Sequence, residues 1–242
     1  MQQRAAVTDR RLPTRKNAML VNADFSRRAT ITPQQYQWVA SPQSGVERVM
    51  LDRIGAEEAR ATSIVRYAPG SSFSQHAHPG GEEILVLSGT FSDESADFPE
   101  GWYLRNPAAW THQPFSRDGA VIFVKLRQMA QGDDCVVRVN TRDSSMWERR
   151  AERLVCPLFR GGSEQVSLQR LDSGACLFDT PVAGAEILVL AGQLMSDCTS
   201  FGQGSWIRLP AGDLPEFFAG PEGTTVYLKT GHLSAAAAEA TV

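Results

Sequence analysis

The chain has 242 residues, a length that suits either one large domain or two of about 100–150 residues each. It is 42% hydrophobic and 21% charged, which excludes a disordered chain. Its 24 basic and 27 acidic residues leave a net charge of −3, which excludes a global attraction to nucleic acid or to an anionic membrane, so function is expected at a local site.

In chain order, residues 1–34 read as a basic lead segment. Within residues 1–20, Arg4, Arg10, Arg11, Arg15 and Lys16 stand against the single acid Asp9, no apolar face recurs, and a solvated, poorly ordered terminus is expected. Neither a secretion signal nor a run of ~18 apolar residues is present, so the expected setting is the cytoplasm. Residues 35–140 contain short apolar runs parted by Gly or Pro: Ser63 to Tyr67, Ile84 to Leu87, Trp102 to Arg105 and Val121 to Leu126. Their spacing predicts an all-β sandwich or barrel. The Ile84-Leu-Val-Leu87 run is apolar on both faces, so it should be covered twice, by its own core and by a second layer. That layer would be the other half of the chain or, in a homodimer, another subunit. Four cysteines, Cys135, Cys156, Cys176 and Cys198, form no C-x-x-C pair, which favours a reducing compartment.

The second half repeats the first. Glu83-Ile-Leu-Val-Leu-Ser-Gly89 returns as Glu186-Ile-Leu-Val-Leu-Ala-Gly192, and Gly101-Trp-Tyr-Leu-Arg-Asn-Pro107 returns as Gly204-Ser-Trp-Ile-Arg-Leu-Pro210, both at an offset of 103. Upstream the match loosens, with Arg66 facing Arg170, Glu47-Arg48 facing Glu152-Arg153, and a Trp opening each unit at Trp38 and Trp147. The boundaries that follow are 35–140 for a first domain, 141–233 for a second, and 234–242 for a tail.

Three of the four histidines fall in the first copy. A strand sets His76 and His78 on one face, about 6.6 Å apart along the chain, and Pro79-Gly80-Gly81 turns the next strand back beside them. Glu82 opens that strand on the face of Ile84 and Val86, which we read as the inner face. His112 follows a second turn. Three imidazoles and a carboxylate suit one divalent ion, zinc first, with iron, manganese, nickel or Cu(II) also admitted. At offset 103 the four positions become Asp179, Pro181, Ala185 and Pro215, so the second copy lacks the whole set while keeping the framework Gly, Arg and Pro. Glu83 and Arg105 recur as Glu186 and Arg208, which marks them as structural. His232 has no evident partner in the sequence and is read as structural too. Phe73, Trp102, Tyr103 and Trp110 are candidates for a pocket wall, but Trp102 and Leu104 point opposite to Tyr103 and Arg105, so only one pair can line it.

These residues resemble the cupin superfamily. Its first motif, G-x5-H-x-H-x3-E-x6-G, is matched by Gly70, His76, His78, Glu82 and Gly89; its second, G-x5-P-x-G-x2-H-x3-N, by Gly101, Pro107 and His112, with Ala109 for the glycine and Ser116 for the asparagine. Within the superfamily, residues 80–93 and 99–107 are similar to the cupin domain of ChrR-type zinc-binding anti-sigma factors. The resemblance implies two tandem jelly-roll barrels, a bicupin with pseudo-twofold symmetry, and metal ligation by His76, His78, Glu82 and His112. The separate anti-sigma module of those proteins carries its own His/Cys zinc site. No His or Cys precedes residue 76 here, so sigma-factor binding is not supported.

Two functional classes remain. One is a module that binds or senses a small molecule or an oxidant; the alternative is a metal-dependent dioxygenase acting on a diketone-like or aromatic ketone substrate. No catalytic residue is assigned. A small-molecule ligand or substrate is the expected partner, and neither nucleic acid nor membrane is.

Overall fold

The first five residues of strand Glu82–Ser92 are all buried, and their apolar side chains enter two different clusters in alternation. Ile84 and Val86 join an apolar cluster with Val46, Tyr67, Leu104, Ile122 and Val124, while Leu85 points the other way into a cluster shared with Cys156, Leu188, Trp206 and Tyr227. The run is thus covered twice, and its second layer is the other half of the same chain. The computed structural model describes residues 19–56, 58–196 and 199–233. The expectations placed on residues 1–18, on the 234–242 tail and on Cys198 lie outside them.

The chain forms two antiparallel barrels. The main path of the first sheet runs Leu20–Val21, Val46–Ile54, Arg60–Tyr67, Ala120–Leu126, Glu82–Ser92, Trp102–Asn106 and Val137–Asn140. The second runs Glu148–Arg150, Arg153–Gly161, Glu164–Leu171, Phe218–Thr230, Ala183–Ser196, Trp206–Ala211 and Ala29–Ile31. The strand order is the same, as the sequence repeat requires, and the fold is all-β, with two short 3-10 turns among the described residues. No helix among the described residues is long and apolar enough to cross a membrane.

The lead segment completes the second barrel. Ala29–Ile31 pairs with Trp206–Ala211 of the second barrel. Val137–Asn140, at the end of the first half, pairs with Trp102–Asn106 of its own barrel. A strand from before the first barrel therefore closes the sheet of the second.

Charged residues sit buried between them. Lys229 places Nζ 2.6 Å from Glu83, and Lys125 places Nζ 2.5 Å from Glu186, so each lysine reaches the glutamate of the opposite copy. The Tyr227 hydroxyl donates to Glu83, the Trp206 indole donates to Glu186 at 2.7 Å, and Arg105 lies 3.2 Å from Glu83. Burial works to raise the Glu83 carboxyl, but Lys229, Arg105 and Lys125 outweigh it and hold it down at about 2. Glu83 and Arg105 are structural, as their recurrence suggested. His232 is not partnerless: its Nε2 lies 3.2 Å from Glu186. That contact is long-range in sequence, which is why no local spacing revealed it.

Candidate metal centre

Of the ligand candidates, His76 and His112 lie on two-residue strands, Glu82 opens a long one, and His78 falls just past the strand expected to carry it with His76. His76–Ala77 pairs antiparallel with Thr111–His112, with His76 directly opposite His112. The chain then turns through Pro79-Gly80-Gly81, held by the Gly81 amide donating to the His78 carbonyl at 3.0 Å, and enters strand Glu82–Ser92. Two antiparallel pairings and one tight turn thus bring together groups up to 36 positions apart in sequence.

One ring nitrogen from each of His76, His78 and His112 falls within a set whose members all lie within 4.8 Å of one another. The Nε2 atoms of His78 and His112 are 3.1 Å apart. Glu82 lies beside them, Oε1 3.4 Å from His78 Nε2 and Oε2 3.4 Å from His112 Nε2. Metal–nitrogen bonds of about 2.0–2.1 Å give ligand–ligand edges of about 2.9–3.4 Å, so these separations suit donors around one ion. A divalent ion also fits the donor chemistry, since three imidazole nitrogens and a carboxylate form a borderline donor set.

Further side chains fix the donors. His76 Nδ1 lies 2.8 Å from the Ser74 carbonyl, which makes Nδ1–H the donor and leaves Nε2 free. Burial lowers the pKa of His78 against the opposing pull of Glu82, keeping it neutral. Glu82 accepts from Asn106 Nδ2 at 3.2 Å, and Asn106 Oδ1 accepts from Arg138 at 2.7 Å. Sequence reasoning missed Asn106 and Arg138. The signal for Asn106 was the alternation from Trp102 through Leu104, which is now settled: Leu104 packs inside the barrel with Trp102 against it, while Tyr103 belongs to the cluster between the barrels.

A cavity of about 140 Å³ opens beside the imidazoles. Phe73 lines it, its ring centroid 5.6 Å from that of His76. Tyr67 lines it too, and burial together with the Glu82 charge raises its phenol well above the usual range, so it stays protonated. Trp102 and Trp110 are not among the lining residues. In the second barrel Ala185, at the position of Glu82, is fully buried in an apolar cluster with Leu177, Ile187, Leu209 and Phe217. Among the described residues the first-barrel histidines form the only such cluster of potential ligands.

Two tandem jelly-roll barrels with a histidine cluster in one of them have the architecture of a bicupin, a fold shared with the solved structures below. More narrowly, residues 26–130 match the ChrR cupin-like domain family. No curated protein sequence matches the chain. Solved structures similar in fold include a candidate dioxygenase from Nostoc punctiforme, 13% identical with a TM-score of 0.66, covering 92% of this chain and 85% of that one. Ylba from E. coli is 19% identical with a TM-score of 0.63, covering 90% and 95%. The pirin YhhW from E. coli, solved with nickel(II), is 10% identical with a TM-score of 0.62, covering 84% and 98%. At these identities the likeness is one of fold.

Proposed function

We propose that the first barrel is a metal-dependent binding site for a small molecule, in which His76, His78, Glu82 and His112 hold one divalent ion, zinc first. The observation that carries this reading is the convergence of three imidazoles, with Glu82 within 3.4 Å of two of them, beside a cavity. A bound ion there would act as a Lewis acid or a redox centre for a ligand in an open position. The chain's own residues do the rest. Ser74 sets the His76 tautomer, Asn106 and Arg138 aim Glu82, and Tyr67 offers a proton-bearing hydroxyl to the cavity. The dioxygenase reading draws support from the fold shared with the Nostoc protein, and iron with oxygen uptake would favour it over a zinc sensor.

The test is metal content. Elemental analysis of the purified protein should return about one equivalent, retained in Asp179→Ala and lost in His76→Ala and His112→Ala. A metal requirement for Asp179 would sink the one-site assignment. Imidazoles bind metal only when neutral, so occupancy should fall as pH drops through and below ~6. Full occupancy after dialysis at pH 4 would contradict ligation by histidine.

A further inference from the structure

The cavity beside the imidazoles is walled largely by apolar groups, Val46, Val65, Ile122 and Val124 among them, yet Arg48 also lines it. Strand Val46–Ile54 places Val46 and Arg48 on one face, and Val46 belongs to the core of the first barrel. The Arg48 Nε is buried without a hydrogen-bond partner, and no carboxylate pairs with this side chain among the described residues. Arg48 itself is half-buried, and Arg60 Nη1, Arg105 Nε and Arg208 Nε are unmatched as well, but the fully buried arginines find acceptors through their other nitrogens. Arg105 meets Glu83, Glu164 and Asp133; Arg60 and Arg208 meet Asp52; Arg53 donates to the carbonyls of Gly55 and Ala56. A guanidinium stays protonated at any working pH, and folded proteins rarely leave such a donor unmatched.

The internal repeat supplies a comparison. Arg48 stands opposite Val65 and, in the second copy, Val155 stands opposite Gln169, so the place of Arg48 is taken by Val155, while Arg153 holds the place of Val46. The barrel that lacks the histidines therefore lacks this arginine too. A cavity of about 140 Å³ holds a small ligand.

We propose that Arg48 binds the carboxylate of a short-chain carboxylic acid, which would be the ligand class of this barrel. Planar guanidinium and planar carboxylate match through paired N–H···O bonds, and apolar walls strengthen that match by excluding water. The inference rests on the proposed function only for the ion at the other end of the cavity; Arg48 and its cavity stand without it.

The experiment is calorimetric titration of the zinc-treated, full-length protein with acetate, propionate and pyruvate, against acetamide and propionamide. The acids should bind at least tenfold more tightly than the amides. Arg48→Gln should lose at least tenfold in affinity for the acids, and Arg48→Lys should retain part of it, both at the zinc stoichiometry of the parent. Acids that bind no better than amides, or that bind Arg48→Gln as well as the parent, overturn the proposal. The acid-over-amide comparison uses the unmodified protein, so a variant that fails to fold does not remove the test. Repeating the titrations on His76→Ala separates the two readings: an acid preference persisting there, weakened, supports Arg48 even if the metal assignment fails.

Discussion

Ala109 lies in the turn that leads to His112 and has a φ of 68°, in the left-handed region where an L side chain meets the backbone. The cupin motif has glycine at this position. Ala109→Gly should remove the strain at a smaller cost in unfolded-chain entropy, for a net gain of about 0.5–1 kcal/mol and a rise of about 1–4 °C in Tm. Calorimetric melting checks it, and an unchanged or lower Tm would show that the turn is not strained. At this scale the sequence was informative where residues are scarce: three of four histidines at fixed spacings singled out His76, His78 and His112, and the exchange of Glu82 for Ala185 against the retention of Glu83 as Glu186 separated the two glutamates. Asn106, Arg138 and Arg48 were not singled out, because a common residue type acquires meaning only from the partner it faces or lacks.

Strand Glu82–Ser92 turns a corner at Gly89. A Cβ added there would meet the Gly119 carbonyl oxygen at 2.1 Å, at a φ of +69°. The repeat reproduces this at Gly192, where the Gly223 carbonyl oxygen would lie at 2.2 Å. Both glycines permit a close approach between the longest strand of each barrel and the hairpin beside it, so Gly89→Ala should destabilise by about 2–4 kcal/mol. Urea denaturation checks this, and a loss under 1 kcal/mol would mean that the hairpin yields freely. The strand itself was legible, since Glu-Ile-Leu-Val-Leu has no polar position to give to solvent. The matched platforms were half legible: Trp38 and Trp147 were noted as opening each copy, and the structure stacks Arg66 over the first at 4.3 Å and Arg170 over the second at 4.0 Å. The strand Ala29–Ile31 was not legible, because three edge residues carry no period of their own and pair only through a partner far along the chain.

For the molecule as a whole, the buried charges between the barrels set the response to acid. His232 is buried with Nε2 against Glu186, and Lys125 and Lys229 lie close enough to act on it. Burial, with the two lysines, lowers its pKa from 6.5 to about 3, against the opposing pull of Glu186. In the unfolded chain the imidazole gains a proton as pH falls through its ordinary value near 6.5, whereas in the folded chain it stays neutral until about 3. The unfolded state therefore holds more protons across that window, and stability falls with pH by up to about 1.4 kcal/mol per unit from this group. Glu83 acts in the same direction only below its ordinary range, since its folded pKa is about 2. Asp52 acts in the opposite sense, because burial together with the Glu186 charge raises its pKa. Asp52 and Glu83 are common to the parent and to a His232 variant, so the difference between their slopes from pH 6.5 to 5 reports His232. Replacing His232 with Gln keeps a neutral polar group near Glu186 and removes the proton. Stability measured by urea denaturation should fall less steeply from pH 6.5 to 5 in the His232→Gln variant than in the parent, with both proteins carrying the same metal content so that the three first-barrel imidazoles contribute equally. Identical slopes would show that His232 is protonated in the folded protein, and that the two barrels are held together by one more buried charge than the arrangement of Lys125, Lys229 and Glu186 implies.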